Sequence, residues 1–211
     1  MIIVDLKQGE EAWFTEKLGK PSASNASKIL TNEGKPSKQA EGYLYELSAE
    51  LLSGQREEGY KNAIMAMGVE REDESRKLYE LTHNVEVTQV GVIYKDEKKQ
   101  FLCSPDGIVT KKGLRRKLEV NEYGLELKNV LGKTQVKYLL DGGLPSEYFG
   151  QIQFSLYVTG FKFWDFMTYT PGIKPLIIRV EPDIKYIKAL EVELELFCSR
   201  LDEITERLRK I

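Results

Sequence analysis

Cys103-Ser104-Pro105-Asp106-Gly107, followed further along by Gly124-Leu125-Glu126-Leu127-Lys128, decides the reading of this chain. Two acids and a lysine fall where hydrophobic runs predict core strands. Burying a carboxylate is costly unless something compensates it. Residues two apart in a strand share a face, so Glu126 and Lys128 point together while Leu127 points into the opposite layer. The Leu127 backbone carbonyl can still reach a cation at the strand edge. Asp106, on a tight turn between two strands, can supply a second carboxylate. Two carboxylates, a carbonyl, waters and a phosphate oxygen make the hard-oxygen shell that magnesium prefers. A lysine beside that shell would orient a water and favour its deprotonated form. The metal would polarise a phosphoryl oxygen.

An acid, an acid and a lysine at this spacing also describe an ordinary strand with a solvated same-face ion pair, and such pairs are common and weak. The Pro105-Asp106 turn before Gly107 favours the ligand reading, because it presents one acid beside a buried strand. Glu72, in Gly68-Val69-Glu70-Arg71-Glu72, is a further acid that spacing alone would place on a helix surface.

The rest of the chain bounds the answer. Its 211 residues suffice for one substantial core, so residues 1–211 are read as a single domain. With 41% hydrophobic and 30% charged residues and a net charge of −2, composition does not announce a nucleic-acid binder, and any basic surface must be local. No apolar run is long enough to cross a bilayer, so no membrane partner is expected. Met1-Ile2-Ile3-Val4-Asp5-Leu6 is short and acidic, unlike a signal peptide. Two cysteines, Cys103 and Cys198, give no disulfide framework and too few thiolates for an iron–sulfur cluster. A reducing cytoplasm is the expected setting.

Helices are predicted from Gly9 to about Gly19, over Ala26–Leu30 with a serine cap, over Ser37–Leu52 and over Asn62–Leu81 with Met67, Leu78 and Tyr79 inward. Glu86–Tyr94 reads as one strand, Phe101–Cys103 resumes it, and Gly107–Val109 and Tyr123–Val130 complete a strand-rich centre. Lys111 to Lys117 is a basic loop or hairpin tip. Ser146–Thr159 is a helix, Phe163–Tyr169 and Leu176–Val180 are strands, and Asp183–Lys210 is a long amphipathic helix. Its apolar residues Ile187, Leu190, Leu194, Phe197, Leu201, Ile204 and Leu208 alternate at spacings of three and four. The order predicts an α/β fold, a mixed sheet flanked by helices.

Several segments, taken in order, resemble the lambda-exonuclease-like, or YqaJ-like viral recombinase, family of the PD-(D/E)xK nucleases. They are Gln8-Gly9-Glu10-Glu11-Ala12-Trp13, Leu18-Gly19, Ser22-Ala23-Ser24, Gly68 with Glu72, the two opening stretches, and Gln151 to Thr159. The resemblance implies a restriction-endonuclease-like core: a central mixed β-sheet flanked by helices. It implies metal ligands at Asp106, Glu126 and the Leu127 carbonyl, a catalytic lysine at Lys128, and active-site places for Glu72 and Gln151. Gln153 and Tyr157 add a supporting pair. Magnesium is the implied cofactor, with manganese as a substitute.

The implied activity is 5′→3′ degradation of one strand of duplex DNA, leaving a 3′ single-stranded overhang for recombination by strand annealing. A 5′-phosphate site maps to Lys17, Ser24 and Ser104, where a cation, hydroxyls and a helix N-terminus suit an anion. Lys17 stands where the family often has arginine, which keeps the charge and loses bidentate geometry. Arg115 and Arg116 could touch phosphates from the basic loop, and Met65 could wedge into a duplex end. The implied partners are double-stranded DNA ends, a single-strand annealing protein and two further copies in a ring-shaped homotrimer. A phage or prophage origin, acting in the bacterial cytoplasm, goes with them. A structure-selective or restriction-like endonuclease on the same core, and a non-catalytic DNA-binding module, are the competing readings. His83, the single histidine, is given no role.

Overall fold

The structure, a computed structural model, describes residues 1–56, 63–111 and 122–211, without the side chains of 63–70 and 111. A mixed sheet runs in the order β2 (Val85–Thr88), β5 (Gly107–Lys111), β6 (Tyr123–Asn129), β7 (Trp164–Thr170), β8 (Ile173–Val180). Among the described strands of this sheet β6 and β7 pair in parallel, with Glu126 opposite Phe166 and Lys128 opposite Thr168, and the other pairs are antiparallel. A parallel pair needs a crossover, supplied by α5 (Gly132–Asp141) and α6 (Ser146–Thr159). A second sheet of three short strands, β1 (Ile2–Val4), β3 (Val92–Tyr94) and β4 (Leu102–Cys103), has β3 at its centre.

Alternation along β6 and β7 builds both faces of the main sheet. Leu125, Leu127, Met167 and Tyr169 pack with Tyr79 of α4 (Ala63–His83) on one side. Trp164 and Phe166 pack with Ile152 and Leu156 of α6 on the other. Glu126 and Lys128 belong to the α6 side by the same alternation. Two glycines are forced by close approach: a Cβ at Gly107 would lie 2.2 Å from Val87, and one at Gly124 2.2 Å from the Trp164 ring. The largest core joins α2 (Ala26–Ile29), α3 (Ala40–Ser53), α6 and α7 (Ile184–Leu208). Asp183 caps α7, its carboxylate accepting from the Tyr186 N–H at 2.9 Å. No described helix is long and apolar enough to cross a membrane.

The fold class is the expected one, with local corrections. The predicted strand Glu86–Tyr94 is two strands in different sheets. Gly91 lies against the Leu6 backbone, where a Cβ would come within 2.6 Å, and Gln8 Nε2 donates to Val90 O at 2.8 Å; these contacts divert the chain. The serine cap is absent: a 3-10 turn at Ala23–Asn25 leads into α2, and Ser22 Oγ instead accepts from Asn25 Nδ2 at 3.3 Å. Strand β1 and helix α5 are additions. Leu208 is exposed rather than part of the buried stripe of α7.

Candidate active site

The end of β6 builds the site. Pairing of β5 with β6 stops at Gly107 opposite Leu125. Two residues on, the Leu127 N–H has no strand to bond and donates instead to Asp106 Oδ2 at 2.6 Å. In a strand a residue's N–H and C=O point to the same side, so the Leu127 carbonyl faces the same edge as Asp106. Asp106 is itself positioned by Gln8, whose Nε2 donates to Pro105 O at 2.8 Å. The turn preceding β5 therefore delivers a carboxylate to the open end of β6, as the Pro-Asp-Gly sequence predicts.

On the α6 face, Glu126 is almost fully buried. One of its oxygens, Oε1, accepts from both the Lys128 ammonium and Gln151 Nε2, the latter at 2.6 Å. Its other oxygen accepts no hydrogen bond from a described residue. The Lys128 Nζ also lies 5.4 Å from the centre of the Tyr148 ring. Tyr148 and Gln151 are three apart on α6, so one helix face covers both charges of the strand.

Glu72 reaches the site from α4. Its Oε1 accepts from Arg76 at 2.6 Å and from Gln89 at 3.4 Å. Its charge acts on Asp106. Burial pushes the Asp106 carboxyl well above the usual carboxylate range; the charge of Glu126 pushes it further, Lys128 draws it back, and Glu72 adds to the rise. Burial pulls the Lys128 ammonium down, but the Glu126 and Asp106 carboxylates outweigh it and hold that pKa above the usual lysine value. Beside these two carboxylates Lys128 is an ammonium that donates to Glu126.

The resident acids fit a hard cation. Among the described residues no three His, Cys, Asp or Glu side chains form a metal cluster by themselves. Two carboxylates that raise each other's cost, with a free carboxylate oxygen and a strand-end carbonyl beside them, offer the incomplete oxygen shell that magnesium fills with water and substrate. Asp106, Glu126 and the Leu127 carbonyl are the residues that would hold it.

Beside this centre lies Lys17, on α1 (Glu11–Lys17). Its Nζ stands 3.8 Å above the Trp13 ring and makes neither a hydrogen bond nor an ion pair with a described residue. Burial pushes its pKa down to about 8, Arg56 lowers it further, and Cys103 and Glu126 act in the opposite sense. Trp13, which lies under Lys17, bonds Ser104, two residues before Asp106, so the two sites adjoin. Trp13 Nε1 donates to Ser104 Oγ at 3.0 Å, and the Ser104 hydroxyl donates to Gly91 O, so Ser104 orients the ring that carries Lys17. Ser24 is exposed and shares a 3.2 Å hydrogen bond with Ser22.

The structure thus gathers Asp106, Glu126, Leu127, Lys128 and Gln151 directly, and Glu72, Lys17 and Ser104 around them. Gln153 and Tyr157 lie elsewhere. Gln153 bonds Glu181 O at 3.0 Å and the Asp183 N–H at 2.8 Å, fixing the start of α7, and Tyr157 donates to Glu191 at 3.0 Å. Arg115, Arg116 and the Met65 side chain lie outside the described residues. Sequence reasoning missed Arg76, Tyr148 and Gln8 as site-shaping residues. Helical spacing could have found two of them: Arg76 is four residues after Glu72, and Tyr148 three before Gln151.

The YqaJ-like viral recombinase domain matches residues 12–162. An alkaline exonuclease, LHK-Exo from Laribacter hongkongensis, superposes with a TM-score of 0.81 at 28% identity, covering 95% of this chain and 97% of that one. The same enzyme in complex with dAMP matches equally well, with TM-score 0.81. A phage related exonuclease from Haemophilus somnus 129PT shares the fold at TM-score 0.61 and 13% identity, over 90% of this chain and 96% of that one. No curated protein sequence matches.

Proposed function

The chain belongs to the YqaJ-like viral recombinase family, and from that premise we propose that it is a magnesium-dependent 5′→3′ exonuclease on linear double-stranded DNA. The observation that carries the reading is the joint placement of Asp106, Glu126, Lys128 and Gln151 at the open end of β6. The alkaline exonuclease likeness supports DNA exonuclease activity, and the dAMP complex of that relative supports release of mononucleotides.

Magnesium bound at Asp106, Glu126 and the Leu127 carbonyl would supply Lewis acidity toward the scissile phosphate, and manganese would substitute. Lys128, fixed as an ammonium, donates to the attacking water or to a non-bridging oxygen and stabilises the charge that develops on phosphorus. Gln151 fixes Glu126, and Arg76 fixes Glu72. Water adds to phosphorus as the bond to the 3′ oxygen breaks, which leaves a 3′-hydroxyl on the released nucleotide. The shortened strand again ends in a 5′-phosphate, which Lys17, Ser24 and Ser104 are proposed to receive. The opposite strand remains as a 3′ overhang, the substrate that a single-strand annealing protein would take up in phage recombination within the bacterial cytoplasm. A homotrimer ring around the duplex would provide processivity, with Met65, Arg115 and Arg116 as further candidates for DNA contact.

Digestion of 5′-phosphorylated linear duplex, 5′-hydroxyl duplex and closed circular duplex, with magnesium or with chelator, tests this reading. Loss of the 5′-labelled strand from linear DNA alone, in magnesium alone, is expected. Nicking of the circle would establish the endonuclease reading instead, and inertness on every substrate would leave a binding module.

A further inference from the structure

We propose that Arg56 is the second cation of the end-binding pocket, a specificity-determining residue that works with Lys17 to select a terminal phosphomonoester over a hydroxyl end. This rests on the reading of Lys17 as the end-binding residue. Helix α3 ends at Ser53, and Gly54 reverses the chain at φ +68°. Ser53 Oγ locks the turn, accepting from the Gln55 N–H and donating to Gln55 O, each at 3.1 Å. Arg56 is thereby turned back onto α1, its guanidinium 5.8 Å from the Phe14 ring centre. Phe14 and Lys17 are three apart on α1 and share a face, so the two cations approach from opposite elements.

Both cations keep open donors among the described residues. Among the described residues the acid near Arg56 is Glu50, whose Oε1 lies 3.7 Å from the guanidinium Nε while its Oε2 accepts from the Gly19 N–H at 2.8 Å. Arg56 donates no hydrogen bond to a described residue. Lys17 has only the Trp13 ring. The repulsion is felt, since Arg56 is the second cause, after burial, of the lowered Lys17 pKa. Two like charges held near one another raise the energy of the empty protein.

The chemistry of the missing anion follows. An internal phosphodiester carries one negative charge. A terminal phosphomonoester carries about −1.5 to −2 at neutral pH and a third accepting oxygen. A half-buried point charge plus an open guanidinium fork matches the second, since the fork binds two oxygens of one phosphate. Arg56, at 47% exposure, stands at the rim, where an incoming end meets it before Lys17.

The test measures kcat/KM on matched linear duplexes bearing 5′-phosphate or 5′-hydroxyl ends, for wild type, Arg56→Ala, Arg56→Lys and Lys17→Ala. Arg56→Ala should shrink the phosphate-to-hydroxyl ratio about tenfold, chiefly through KM, and Arg56→Lys should restore only part of it. An unchanged ratio, or equal loss on both ends, overturns the proposal. If wild type itself shows no end preference, the reading of Lys17 falls with it. If Lys17→Ala abolishes the preference while Arg56→Ala keeps it, Arg56 alone is refuted. Fluorescence anisotropy of the same ends, in a Lys128→Ala background, gives the same comparison without cleavage.

Discussion

Two carboxylates on adjacent strands are buried to the same degree, each beside a cation, and they do opposite things. Asp165 and Glu126 are both 2% exposed. Asp165, on the α4 face, is closed: Arg179 clasps it with two bonds of 2.8 and 2.9 Å, and the Tyr79 hydroxyl adds one of 2.6 Å. Glu126, on the α6 face, places both its bonds on one oxygen and keeps the other open beside a second acid. A buried acid with both oxygens taken holds the fold together; one left half-satisfied next to like charge is arranged for something that arrives later. Glu126→Gln should leave melting within a few degrees of wild type and reduce cleavage by about a hundredfold or more. Lys128→Ala should go further, by roughly a thousandfold, with DNA binding retained. Near-normal turnover in a steady-state assay of either variant would remove the catalytic assignment.

The opposite pattern is expected at Asp165. Asp165→Ala takes the carboxylate from Arg179 and leaves the Tyr79 hydroxyl only Tyr123, at 3.1 Å; half-exposure of Arg179 keeps the cost near the lower end for a broken buried pair, about 3 kcal/mol. In a chain of this length that lowers the melting temperature by roughly 6–12 °C. The fraction still folded at low temperature should cut DNA normally. Calorimetry beside an activity assay would show whether stability and cleavage separate in the two variants; loss of both in Glu126→Gln would merge the two acids into one structural class.

Asp106 sharpens the contrast, because its strain should be measurable as stability. Its folded pKa is raised, so the native state holds a proton that the unfolded chain has already released. The stability this contributes is full below the usual carboxylate range and is lost as pH rises through the raised folded value. At neutral pH without metal, Asp106→Asn should therefore melt above wild type by a few degrees. Magnesium should narrow the gap by stabilising wild type through binding. A variant that melts lower in chelator would contradict the raised pKa.

How much of this was legible beforehand varies with physical cause. Helix α6 has its expected bounds, Ser146–Thr159, because Gly160 stops it in a left-handed turn at φ +69° after a strongly apolar run. The Pro-Asp-Gly turn and the alternation of β6 likewise show in local pattern. Helix α5 does not, because its apolar Val136 and Leu140 face solvent while the buried residues are Gln135 and Tyr138. The division of Glu86–Tyr94 is invisible because its cause, Leu6 and Gln8, is remote in sequence. Gln151 and Gln153 differ by about 200° around the helix, so only one could meet Glu126, and the sequence alone could not say which. Nor could it separate Asp165 from Glu126, since the difference lies in partners from other elements.

The smallest expected effect tests the pocket rather than the cutting site. Lys17 has a pKa pushed down to about 8 by burial first and Arg56 second. Its charge is complete well below that value and is lost as pH rises through it. A bound phosphate dianion would itself raise the Lys17 pKa, so the effect should appear in kcat/KM, which follows the free protein, and hence in KM, more than in kcat, which follows the complex. The KM for 5′-phosphorylated ends should therefore rise several-fold between about pH 7 and pH 9, while hydroxyl ends show little of this rise. Lys17→Arg removes the titration, since a guanidinium stays charged throughout. That variant should give a flat KM profile, and a wild-type slope that persists in it would assign the titration to another group.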